Sequence, residues 1–315
     1  VTLRLSYSQI TAFRACPLKW WLNYQVGLRS PSRSEALGLG SAFHHVMDKV
    51  YQAIKGGVRD VGALTEVAGK AIADTAEMDF GARVPEDLQE RLTWMVAGYF
   101  EQWGADERYQ IIATEDDEVT MPLMEGVDLI GRIDLVVEDL NRPGALEIWD
   151  HKTAGKRDVS QDAFAAELQI DDQFAIYVAL KRAAGENVIM ARKNLVRTDR
   201  LKRAMDLNER FHRVPIFYSN RELNIMLADV RRVAKAILAA ADDPERIYSN
   251  PDPKNCGFSC DFKNVHMVAR SGGHDIVAVA IESGFTTREM RARERERLWE
   301  EEQAKGEAAV VVDPR

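Results

Sequence analysis

Gly131-Arg132-Ile133-Asp134 and, beyond a turn at Asn141-Arg142-Pro143-Gly144, Glu147-Ile148-Trp149-Asp150-His151-Lys152-Thr153 decide how this chain is read. The residues on either side of the turn have strand-like composition, so the two stretches predict a hairpin. Side chains alternate along a strand: Asp150 and Lys152 share one face and His151 takes the other. Such a hairpin sets Asp134 opposite Asp150. Two carboxylates that close repel unless a cation separates them. Mg2+ or Mn2+ would stabilise the pair and leave positions for water and a phosphate oxygen. Lys152 would orient or deprotonate an attacking water, or offset charge on a phosphate transition state. Asp-x-Lys alone also fits an ordinary edge hairpin with solvated charges.

Outward from this hairpin, the pattern is helical on the N-terminal side. Ser8 can cap a first helix, which Pro17 interrupts. A loop over 27–38 precedes a helix at Ser41–Ile54, punctuated by Gly56-Gly57. Further helices are predicted at Ala63–Met78 and Glu86–Trp103. Strands are predicted at Tyr109–Ala113, Val127–Glu138, Ala145–Lys152 and Asn187–Val196. Helices are predicted at Asp162–Ala184 and Arg221–Ala240. This order indicates an α/β core with an N-terminal helical addition. From Thr287 to Lys305, Arg and Glu alternate densely, as in a solvated helix or a partly disordered tail.

The 315 residues are 46% apolar and 29% charged, which excludes a disordered chain and a membrane protein. Lys+Arg 42 against Asp+Glu 50 gives a net charge of −8. That balance excludes a general basic surface as the main hold on nucleic acid, but not a local basic groove. Three cysteines exclude a disulfide-rich secreted scaffold. No apolar run reaches membrane-spanning length and no secretory signal is evident, so a cytoplasmic location is expected. No phosphate loop of the Gly-x-x-x-x-Gly-Lys-Ser/Thr type is present, so nothing points to an ATP-driven motor.

Together these motifs resemble the PD-(D/E)XK nuclease superfamily, in the branch of RecB and AddB nuclease domains, CRISPR-associated adaptation exonucleases and phage RecB-like exonucleases. The resemblance spans Leu5 to His266. Its carriers are Ser6, Ser8 and Cys16-Pro17; Gly40-Ser41-Ala42-Phe43-His44; Gly131–Asp134; Asp150-His151-Lys152; and Gln173-x-x-x-Tyr177. It implies a restriction-endonuclease-like core, a mixed central sheet flanked by helices. It implies one nuclease domain over 1–270, with a mainly helical addition at 1–104, a catalytic core at 105–240 and a cysteine-containing closing segment at 241–270. A charged tail at 271–315 follows.

The same resemblance assigns roles. His44, Asp134, Asp150 and the backbone carbonyl of His151 would hold Mg2+ or Mn2+. Lys152 would assist catalysis. Gln173 and Tyr177, four apart on one helix face, would support the site or touch DNA. Glu115 matches a recurrent acidic position, as a residue behind the ligands or along the DNA path; a plain surface glutamate fits it equally. Relatives often hold a 4Fe-4S cluster on one early and three late cysteines, where this chain has Cys16, Cys256, Cys260 and, at the last position, His266. A 4Fe-4S cluster, Zn2+ on the same donors, or buried thiols without metal remain alternatives. A local basic path is expected from Arg132, Lys156 and Lys193. Trp20, Trp21 and Tyr24 recur as a core stripe does, with base stacking as the rival reading.

The activity implied is a divalent-metal-dependent DNA exonuclease acting at DNA ends in recombination, repair or replication, in a bacterial or phage-infected cell. Recombination or replication proteins would be its partners. The alternatives are a CRISPR-adaptation-type exonuclease, a degenerate DNA-end-binding subunit and a general protein-interaction module.

Overall fold

A computed structural model describes residues 2–31, 35–78, 84–115, 118–155, 171–198, 206–258, 260–293 and 296–297. The chain divides into two compact units. One comprises Val1–Tyr7 with Arg33–Lys235, the other Ser8–Ser32 with Ala236–Arg315. Among the described residues no helix is long and apolar enough to cross a membrane.

The first unit contains two mixed sheets. The smaller is ordered β1 (Leu3–Ser6), β4 (Val127–Arg132), β3 (Glu118–Met124), with β1 parallel and β3 antiparallel to β4. The larger runs β2 (Tyr109–Thr114), β5 (Leu135–Asp139), β6 (Leu146–Ala154), β7 (Val188–Arg197), β8 (Phe211–Ile216). Only β6 and β7 pair in parallel within it. The expected strand over Val127–Glu138 is therefore two strands in different sheets. The chain crosses between them at Ile133-Asp134, where regular strand geometry stops.

Helices cover these sheets. Helix α3 (Glu35–Lys55) starts earlier than the sequence predicts, its heptad-like apolar residues Phe43, Val46, Met47, Val50 and Ile54 buried on one side. With α4 (Val61–Asp74) and α5 (Leu88–Trp103) it shares one core with Ile111, Leu135, Val137, Trp149 and Val196 of the larger sheet. Asp60 caps α4 by accepting from the Ala63 N–H. Helix α6 (Asp172–Ala183) packs on β3 and β4 of the smaller sheet and on β6 and β7 of the larger. Gly131 permits that approach, since a Cβ there would lie 2.7 Å from Leu180 Cδ1 and 3.1 Å from the Tyr177 ring.

In the second unit, helices α1 (Tyr7–Ala15) and α2 (Pro17–Trp20) break at Cys16, as Pro17 predicts. Trp20 is fully buried and meets Phe13 edge-on, as core packing requires, whereas Trp21 and Tyr24 are half-buried. Leu22 and Leu28 join Phe262, Val265, Ala280 and Phe285 in one apolar cluster. The Leu18 N–H donates to the Tyr248 carbonyl, and Arg29 pairs with Thr286 as an isolated bridge. An early segment and a late one thus build a single body. The charged tail expected over 271–315 is corrected in its first part: Ile276–Glu282 is a helix, and Val279, Ala280 and Phe285 are buried in this cluster, because apolar residues there cover Leu22 and Leu28. Residues 294–295 and 298–315 lie outside the described residues.

Candidate active site

The antiparallel register of β5 and β6 pairs Leu135 with Trp149, which brings Asp134, one residue before β5, to the level of Asp150. Asp134 Oδ2 accepts the His151 backbone N–H at 2.8 Å. It also lies 3.2 Å from His44 Nδ1. Helix α3 delivers His44 one turn after Gly40, where a Cβ would meet Thr153 Oγ1 at 3.0 Å. The glycine lets the start of the helix come close to β6, and the next turn presents the imidazole to Asp134.

Glu115 follows β2 directly, and His44, Glu115 and Asp134 offer ligand atoms all within 4.8 Å of one another. Sequence reading set Glu115 behind the ligands or along the DNA path; here its carboxylate is at ligand distance. The donor set, an imidazole and two carboxylates, suits a hard divalent cation with open positions.

Asp150 is 1% exposed. Its carboxylate forms an ion pair with Lys152 Nζ at 2.6 Å, the two side chains sharing a strand face as alternation requires. Gln173 Nε2 donates to Asp150 Oδ1 at 3.3 Å and to the Tyr177 hydroxyl at 2.9 Å. The four-residue spacing on α6 thus produces a working contact. His151, on the opposite face, is enclosed by the rings of Phe43, Tyr51 and Tyr99.

The electrostatics follow from this crowding. Burial, then the Asp134 charge, push Asp150 up to about 6. Burial and the same neighbour raise Glu115. Burial favours protonated Asp134, but the His44 hydrogen bond and charge outweigh it and hold its carboxyl below the usual range. Burial lowers His44, yet Asp134 prevails and the net shift is upward. Lys152 behaves likewise, burial being outweighed by Asp150. Burial pushes His151 down to about 3, so its ring is neutral. Asp150 and Glu115 thus resist ionising beside the charged Asp134, an environment a cation would relieve.

Other candidates are less central. Arg132 ends β4 exposed, close enough to lower Glu115. Lys193 pairs in register with Asp150 and is only 9% exposed. Lys156 lies outside the described residues. Cys16, Cys256, Cys260 and His266 all belong to the second unit. The Asn250 N–H points at Cys16 Sγ over 3.4 Å. Burial, with the other two thiols adding to it, raises Cys260. These four donors do not form a group lying entirely within 4.8 Å.

A family model described as the PD-(D/E)XK nuclease superfamily matches residues 4–265. Among solved structures, a candidate exonuclease from Eubacterium rectale is 14% identical, covering 83% of this chain and 87% of its own, at a TM-score of 0.49. The protein SSO0001 is 13% identical, covering 70% of this chain and 82% of its own, at a TM-score of 0.33. No curated protein matches.

Proposed function

This chain belongs to the PD-(D/E)XK nuclease superfamily, and on that premise we propose that it is a divalent-metal-dependent DNA exonuclease acting at DNA ends. The observation that carries the reading is the convergence of His44, Glu115 and Asp134 within 4.8 Å, beside the Asp150–Lys152 ion pair. Mg2+ or Mn2+ would be held by His44, Glu115, Asp134 and Asp150, with the His151 carbonyl as a further donor. Bound there, the cation supplies polarisation of a phosphate oxygen and neutralises the acids around it.

The chain's own groups supply the rest. The His151 N–H and His44 fix the Asp134 carboxylate from two sides. Gln173 orients Asp150, and Tyr177 orients Gln173. Lys152 would offset charge gathering on phosphate, or orient and help deprotonate the attacking water. Arg132, Lys156 and Lys193 would guide the strand against the net negative charge of the protein.

The role in recombination, repair or replication, and the RecB-like affinity, belong to the same proposal. So does a 4Fe-4S cluster on Cys16, Cys256, Cys260 and His266. Zn2+ on the same donors, or thiols without metal, are the alternatives to that cluster. Anaerobic purification should give a brown protein carrying iron; a colourless protein without iron would dismiss the cluster and leave the nuclease reading intact.

Purified protein incubated with end-labelled linear and closed circular DNA, with Mg2+, Mn2+ or EDTA, tests the activity. Linear DNA should be degraded only with metal, and Asp150→Ala or Lys152→Ala should abolish the loss. Equal cleavage by the variants and the wild type would reject the site.

A further inference from the structure

Behind the catalytic strand lies a row of polar groups that the reaction does not use. Arg213 of β8 pairs in register with Asn194 of β7, which pairs with His151 of β6. The row crosses three strands on the face opposite Asp150 and Lys152. Asn194 Nδ2 contacts His151 Nδ1 at 3.0 Å and donates to the Tyr99 hydroxyl at 2.5 Å. Arg213 Nη2 donates to the same hydroxyl at 2.8 Å. Tyr51 joins from α3, its hydroxyl 2.7 Å from that of Tyr99.

Arg213 is anchored as a fork on Asp106, Nη1 to Oδ1 at 2.5 Å and Nη2 to Oδ2 at 2.8 Å. The two side chains are only 7% and 5% exposed. Asp106 sits at φ 52°, a left-handed conformation few non-glycine residues adopt. The guanidinium also lies over the rings of Trp103 and Trp149, at 4.0 and 4.4 Å. Trp149 and His151 are the two neighbours of Asp150. Arg213 therefore braces the strand on both sides of the acid.

Stability alone does not ask for this arrangement, because well-packed apolar residues often replace a buried ion pair without loss. Fixed geometry does ask for it. Each side chain locked behind the strand sets the rotation of the residue beside it, and a reacting constellation tolerates errors of only about half an ångström. We infer that Arg213 is a positioning residue for the strand carrying Asp150 and Lys152, acting through Trp149 on one side and through Tyr99, Asn194 and His151 on the other. The inference rests on the nuclease reading and adds residues from β7, β8 and α5 to its machinery.

Tyr99→Phe removes one hydroxyl and keeps the ring, so it cuts the path with the least disturbance. Steady-state DNA cleavage, the thermal midpoint and 15N shifts of the His151 ring in metal-free protein are measured together. Tyr99→Phe should lower kcat about tenfold with KM for DNA within twofold, and the His151 nitrogens should move from one neutral tautomer toward an average of two. Asn194→Leu should do the same, and the double variant should lose no more than either single. Arg213→Lys keeps the charge against Asp106 but not the fork, and should fall similarly. A folded Tyr99→Phe protein with wild-type kcat and an unmoved ring would overturn the inference, as would losses that multiply in the double variant. A wild-type chain that cleaves no DNA would instead overturn the nuclease reading, with the ring shifts still reporting whether the row holds His151.

Discussion

Gly131→Ala should damage both stability and catalysis, although the substitution adds a single methyl group. The new carbon would stand 2.7 Å from Leu180 Cδ1 and 3.1 Å from Tyr177 Cδ1 and Cε1. Carbon contacts favour about 3.5–4.0 Å, so α6 must withdraw by something under an ångström or Leu180 must leave its rotamer. Overpacking of this kind costs about 1–3 kcal/mol, and each kcal/mol lowers Tm by roughly 1.5–2 °C in a protein of this size. The same withdrawal carries Gln173 away from Asp150, and their 3.3 Å contact has no slack left as a hydrogen bond. Thermal denaturation and DNA cleavage should therefore fall together. Leu180→Ala removes the nearest clashing atom, so the double variant should be more stable than the sum of the two single losses by more than about 0.5 kcal/mol. Wild-type Tm and cleavage in Gly131→Ala, or strict additivity in the double variant, would refute the reasoning.

Glu115→Gln should raise the Mg2+ concentration needed for half-maximal cleavage by about tenfold or more, read from a metal titration at fixed DNA; an unchanged curve would remove Glu115 from the ligands. The pH dependence of stability has a definite sign in metal-free protein. Asp150, at about 6, and Glu115 keep protons in the fold that the unfolded chain releases lower down, so stability falls as pH rises from about 4 to 6. His44 is raised as well, and its contribution is lost as pH rises through its folded value, above 6.5. Mg2+ should therefore raise Tm more at pH 7.5 than at pH 5, and an equal rise at both would contradict the assignment. Phe285→Ala, which removes a ring stacked on Phe262 at 5.2 Å, should cost about 3–5 kcal/mol in urea denaturation; a loss below about 1 kcal/mol would show that the second cluster is not a packed core.

Much of the site was legible because its chemistry is written in local spacing. Alternation along Asp150-His151-Lys152 set the faces, and the four-residue step from Gln173 to Tyr177 set a helix row. The turn at Asn141–Gly144 fixed the register that brings Asp134 to Asp150. Three strands escaped the reading, β1, β3 and β8; β1 is only four residues long, and the other two each contain a proline, Pro122 and Pro215. Proline demotes a stretch as a strand, yet both strands sit at sheet edges where a missing N–H is harmless. The switch of sheets at Ile133-Asp134 was hidden because apolar periodicity continues on either side of it. Helix α3 was started late because Gly38 and Gly40 look like loop, whereas Gly40 serves a close approach to Thr153. Arg213 gave no signal, since a charged residue in a strand usually faces water.

Mn2+ titration of the DNA-free protein, followed by calorimetry or electron paramagnetic resonance, bears most directly on the central claim. Saturable binding is expected in the wild type, weakened at least tenfold by Asp134→Asn and by His44→Ala in protein that remains folded. Binding of the same strength and stoichiometry in those variants would mean that the cation, if one is used, sits elsewhere.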